Sequence, residues 1–173
     1  MNQAYSQTTI GSLKLLDTVK SELIAYFRHL GQRVERHAYA IPEDKFWEKP
    51  FPFGNSLGHL ILHLTGNLNH YVGSGIAGTG YVRNRTLEFT DTNRYPREQT
   101  LQRFREALDL VVRTIENMDE PAMLRSVTFP DKHPINTQFG LVMVCAAHMN
   151  NHIGQMAWLV QAFGYHTGEP PVW

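Results

Sequence analysis

Residues 139–163 read Phe139-Gly-Leu-Val-Met-Val-Cys145-Ala-Ala-His148-Met-Asn-Asn-His152-Ile-Gly-Gln155-Met-Ala-Trp-Leu-Val-Gln-Ala-Phe163. The stretch is long, rich in helix formers and free of proline, and it predicts a helix from about Thr137 to Phe163, with Gly164 as its stop signal. At 3.6 residues per turn, His148 and His152 stand one turn apart on one side of that helix. Two imidazoles so placed can hold one ion, with the rest of its coordination supplied from elsewhere, and imidazole suits zinc, nickel, copper and iron. Relative to His148, His152 falls at about +40°, Gln155 at about −20° and Asn151 at about −60°. No formally charged side chain occurs between Thr137 and Tyr165.

Working outward, a second segment has the same character. Ser56-Leu-Gly-His59-Leu-Ile-Leu-His63-Leu-Thr-Gly-Asn67-Leu-Asn-His70-Tyr71 predicts a helix capped by Asn55 or Ser56 and running to about Val72. With His63 at 0°, Ser56 lies at about +20°, His59 at about −40°, Asn67 at about +40° and His70 at about −20°. Leu57, Ile61, Leu64, Leu68 and Val72 cover much of the remaining circumference, and no Asp, Glu, Lys or Arg occurs between Phe51 and Arg83. The polar stripe is therefore either the only solvated face of a buried helix or the lining of an internal site. Two such helices facing one another would form a metal site of the kind helical bundles build.

Nine histidines in 173 positions would give roughly 0.5 His-x-x-x-His pairs by chance. The chain has two, His59/His63 and His148/His152. Buried histidines bonded to carbonyl groups would satisfy the same spacing without a metal. His70 reads as a helix-end residue, and His29, His37, His133 and His166 read as surface residues. Cys145, the only cysteine, reads as a small buried hydrophobe and excludes a cysteine zinc site or an internal disulfide.

Two further helices complete the pattern. Residues 9–38 carry Ile10, Leu13, Leu16, Val19, Leu23, Phe27, Leu30 and Val34 at helical spacing, with Gly31 as a weak point. Residues 98–118 carry Leu101, Phe104, Leu108, Val111, Val112 and Ile115 on one face, with Pro96 near the first turn. The connector 42–55 holds Phe46, Trp47, Phe51 and Phe53 and is expected to pack over the core. Residues 73–95 and 119–136 read as irregular, and the tail from Glu169 cannot be helical. The fold expected is all-α: one domain over 1–173, a four-helix bundle with a long crossover between helices 2 and 3. A formal net charge of zero and the absence of a Lys/Arg run argue against nucleic-acid binding. Neither a signal peptide nor a membrane span is expected from the sequence, which makes the cytoplasm the expected compartment.

The motif Asn55-Ser-Leu-Gly-His-Leu-Ile-Leu-His63-Leu resembles the second-helix signature of the DinB-like (YfiT-like) superfamily, in which a histidine follows the serine by seven residues. His148-x-x-x-His152-Ile-Gly-Gln155, with its closing Gly164, resembles the last-helix signature, and Ala40-Ile-Pro-Glu43 is also similar. The resemblance spans essentially the whole chain. It implies a four-helix bundle that binds a divalent metal, zinc or nickel, through His63, His148 and His152, and that forms a homodimer. It further implies a metal-dependent transferase or isomerase using a low-molecular-weight thiol as cosubstrate; a metal-dependent hydrolase and a non-catalytic metal-binding stress protein are the alternatives. His59 departs from the family pattern and is either an extra ligand or a supporting residue. Asn67, His70 and Gln155 are candidates to orient ligands or touch substrate. A carboxylate base is absent from both stripes, and Glu88 and Asp91 of the crossover are the nearest candidates.

Overall fold

The computed structural model describes residues 2–127 and 134–168. The Ile10 and Leu13 side chains, His133 and the tail from Glu169 lie outside the described residues. All regular elements among the described residues are helical, and the single β-bridge, Ser126 to Thr137, only ties the approach of the last helix. Among the described residues, no helix is long and apolar enough to cross a membrane.

Helix α1 spans Asn2–Tyr39, starting earlier than the apolar periodicity. Leu23, Phe27, Leu30, Val34 and Ala38 form its buried face. Gly31 is no defect there, because Leu108 packs where its Cβ would stand. In the connector, Phe46 is fully buried, and Trp47 donates its indole N–H to the Tyr95 carbonyl at 2.8 Å. Phe51 and Phe53 depart from the expectation: both are exposed and stack on each other, with ring centres 5.9 Å apart.

Helix α2 spans Leu57–Leu68, and Ser56 caps it by accepting the His59 amide. The α-helical pattern expected to continue to Val72 instead widens into a π-helical turn over Asn69–Ser74. Amides of Gly75 and Ala77 reach five residues back, to the His70 and Val72 carbonyls. The crossover contains a four-residue helix, α3 (Leu87–Thr90), that has too few residues to show a period. Helix α4 (Arg97–Asn117) follows Pro96. A short α5 (Glu120–Leu124) is capped by Asp119 within the segment that reads as irregular. Helix α6 spans Gln138–Ala162; Thr137 caps its start, and Gly164 follows its end at φ +79°.

Helix α4 packs against both α1 and α2, and so does α6. One continuous apolar core fills the space between them, from Phe27 and Leu30 through Leu64 and Phe104 to Met149 and Ile153. Burial settles the question raised by the α2 stripe. Ser56, His59, His63 and Asn67 are all buried, between 0% and 6% exposed, so the stripe lines the interior.

Candidate metal centre

Helix α2 delivers His63 and helix α6 delivers His148 and His152 to one place. Ring centres lie 4.5 Å apart for His148 and His152, 4.7 Å for His63 and His152, and 5.0 Å for His63 and His148. One ring nitrogen from each residue lies within 4.8 Å of the others, so the three could hold a metal ion. His63 Nε2 and His148 Nε2 are 2.9 Å apart. Two imidazole lone pairs at that distance repel unless a proton or a cation stands between them.

The other nitrogen of His63 is occupied. Its Nδ1 lies 2.8 Å from Glu88 Oε2, with both side chains buried. An ionised carboxylate only accepts, so Nδ1 carries the proton and the Nε2 lone pair faces the other two rings. Arg83 grips the same carboxylate twice, Nε to Oε1 at 2.6 Å and Nη2 to Oε2 at 2.8 Å. Arg83 Nη2 also comes within 3.2 Å of His63 Nδ1. These are two donors, and Glu88 is the acceptor that holds them together. Burial alone would push the Glu88 carboxyl up, but the hydrogen bonds from His63 and Arg83 outweigh it and keep it below the ordinary glutamate range.

Gly66 makes this arrangement possible. A Cβ at that position would collide with the Glu88 carboxylate, which rests against the α2 backbone one turn beyond His63. Phe89 closes the flank, its ring centre 4.8 Å from that of His63.

On α6, His152 Nδ1 lies 2.9 Å from Gln155 Oε1. The amide oxygen accepts, which again leaves Nε2 with its lone pair. Burial, followed by the neighbouring His152, His63 and Arg83, lowers the His148 pKa to about 4. Burial lowers that of His152 as well. His148 and His152 are therefore neutral at neutral pH, the form in which imidazole ligates a metal.

His59 does not join the three. Its Nδ1 is 2.7 Å from Ser56 Oγ and its Nε2 is 3.3 Å from the Asp91 carbonyl oxygen. Both ring nitrogens are thus engaged one turn away from the cluster. Asn67 and His70 also stand apart from it, with Asn67 Oδ1 and His70 Nδ1 buried and without a hydrogen-bond partner. His37, expected on the surface, is buried and bonded through Nδ1 to the Arg33 carbonyl at 2.7 Å. Cys145 is buried as expected, and burial pushes its thiol up to about 12, which makes it inert. Among the crossover carboxylates, Glu88 reaches the cluster, whereas Asp91 offers only its backbone to His59. Arg83 had one signal in the sequence: it is the first charge after 33 uncharged residues, 50–82. Periodicity does not weigh a loop residue of that kind.

The sequence profile of the DUF1572 family, described as a protein of unknown function, matches residues 14–167, so the chain belongs to that family. No curated protein matches the sequence.

Proposed function

For a member of this family with three imidazoles converging in its core, we propose a divalent-metal-dependent enzyme of the DinB-like superfamily, built on a four-helix bundle. The reaction is a transfer or isomerisation that uses a low-molecular-weight thiol as cosubstrate; the compartment is the cytoplasm and the working form a homodimer. The observation that carries the reading is the donor set. His63, His148 and His152 turn ring nitrogens to one point, and Glu88 and Gln155 hold two of the rings in the tautomer a metal requires.

The residues present fit zinc or nickel, since both accept neutral imidazole. Three protein ligands leave a position open, as in catalytic rather than structural zinc sites. A divalent ion held there would act as a Lewis acid, lowering the pKa of a thiol or water that reaches the open position. Glu88 fixes the direction of His63, and Arg83 balances the buried negative charge. Phe89 restricts water on one side, while the more open His152–Gln155 edge admits substrate. With Glu88 committed to His63 and Arg83, it is not free to act as a base. That favours thiol chemistry, in which the nucleophile is an anion once ionised, over hydrolysis assisted by a carboxylate.

The test is elemental analysis of protein purified without a metal-affinity tag, beside a His148→Ala/His152→Ala variant. About one divalent ion per chain in the parent and almost none in the variant supports the site. Turnover of a thiol with an electrophile by the metal-loaded parent alone supports the enzyme. An ion whose removal unfolds the protein without any thiol competing for it would favour a structural metal instead. No ion after incubation with zinc or nickel would end the reading.

A further inference from the structure

The α2–α6 seam does not end at the histidines. Seven residues beyond His63, in the π-helical turn that continues α2, stands His70, and seven residues before His148 on α6 stands Leu141, each about 10 Å along the helical axis. Both line a cavity of about 660 Å³, together with Tyr71, Ser74, Gln138 and Arg125. That volume lies within the range of sites that enclose small organic ligands.

Two observations set this end of the seam apart. Four buried side-chain polar atoms lack a hydrogen-bond partner among the described residues, and two of them, His70 Nδ1 and Gln138 Oε1, belong to residues that line this cavity. Gln138 is 5% exposed. A buried amide oxygen without a donor is costly, so Gln138 Oε1 in this wall implies a bound group that brings a donor. Second, the π-helical turn Asn69–Ser74 supplies His70, Tyr71 and Ser74 to the wall. Such turns interrupt the regular ladder and often occur at functional sites. The Tyr71 ring also lies 5.9 Å from the Arg83 guanidinium, which links the cavity to the Glu88–His63 network.

We propose that this cavity binds a small carboxylic acid bearing N–H or O–H groups, with Arg125 at the rim meeting the carboxylate and the Gln138 side of the wall receiving the donors. The orphan Gln138 amide oxygen calls for a donor, and the Arg125 guanidinium at the exposed rim offers a partner for an anion. Leu141, Ile76 and Tyr71 provide the apolar wall for the carbon skeleton. That the acid is the body of the molecule whose reacting end reaches the histidines rests on the function proposed above. The binding itself does not.

The probes are N-acetylglycine, malate and S-methylglutathione, the last being a peptide acid with its thiol blocked, each titrated by calorimetry beside its carboxyl ester. At least one acid binds saturably with millimolar affinity or better, and its ester binds at least about tenfold more weakly. Arg125→Gln and Gln138→Leu each weaken the acid about tenfold, while His148→Ala/His152→Ala binds it as the parent does. Circular dichroism checks that Gln138→Leu is folded, and the exposed Arg125→Gln stands as the independent variant. The proposal is overturned if none of the three acids saturates, or if Arg125→Gln and folded Gln138→Leu bind as the parent does. It is also overturned if the histidine variant loses binding, because the acid then sits on the histidines. Acid binding that persists in a protein that takes up no metal would sustain the cavity and remove the metal reading.

Discussion

Two clusters of arginine and glutamate brace this protein, in opposite surroundings. Between α1 and α4, Arg105 bonds Glu35 through Nε and Nη2, both at 3.0 Å, and also meets Glu98. Those side chains are 29%, 33% and 65% exposed. Beside the three-histidine cluster, Arg83, Glu88 and His63 form a similar set at 10%, 7% and 5% exposure. The outer cluster is screened by water and contributes little. The inner one removes two charges from water, and their attraction and hydrogen bonds offset that desolvation only while every partner is present. An apolar core in its place would be easier to build. The inner cluster therefore makes sense as a device that aims His63, whereas the outer one needs no function beyond a weak brace.

The contrast is sharpest when each cluster loses its glutamate. Glu88→Ala leaves the buried Arg83 guanidinium without its carboxylate and His63 without its orienting acceptor. It is expected to destabilise the protein by about 3–5 kcal/mol and to weaken metal binding about 10–100-fold. Urea denaturation and a metal titration read the two effects. A loss below about 1 kcal/mol would place Glu88 in the same class as the surface pair.

Acid separates the clusters next. His148 and His152 have folded pKa values held below the ordinary imidazole value of 6.5. The unfolded chain therefore binds more protons than the folded one, and stability present above pH 6.5 is lost as pH falls toward about 4. His148 alone accounts for at most about 3 kcal/mol, and Glu88, whose pKa is also depressed, adds its loss at the lower end. Thermal midpoints of metal-free protein between pH 7 and pH 4 measure this. In His148→Ala/His152→Ala the fall should be much shallower, and an equal fall would place the acid sensitivity elsewhere.

Gly66→Ala tests the inner cluster without changing a charge. The added methyl forces the Glu88 carboxylate off α2, at an expected cost of about 1–3 kcal/mol and with weaker metal binding. Gly154→Ala is the control on α6, since a Cβ there meets nothing, and it should be neutral or slightly stabilising. Equal effects of the two would show that Glu88 can move aside freely. The smallest change is at the outer cluster, where Glu35→Ala should cost less than about 1 kcal/mol and leave metal content unaltered. A larger loss would mean that the α1–α4 network does more than its exposure suggests.

Much of the helical frame was legible because the signals are local. Thr137, Ser56 and Gly164 mark helix ends through their own backbone and side-chain hydrogen bonding, and they appear where the sequence places them. The histidine stripes were legible for a related reason, since a residue's angle around a helix depends only on its number. The short α3 and α5 were not, because four or five residues are too few to show a period. The π turn after Leu68 was missed because no composition rule distinguishes it from one more α turn. Phe51 and Phe53 show the reverse failure: their hydrophobicity suggests burial, but the connector keeps them outside.

The sequence by itself determined that the chain is helical, that two of its helices are uncharged, and that each carries histidines on one side, because these properties follow from neighbours within a turn or two. Only the tertiary structure decided which histidines meet, that His59 is held by Ser56 and Asp91 instead, and that Arg83 and Glu88 reach His63 from a loop without periodicity. The pairings of His63 with Arg83, Glu88, His148 and His152, and of His59 with Asp91, join residues 20 to 89 positions apart. The packing of α2, α6 and the crossover against the common core sets them, and no local rule along the chain encodes such distances.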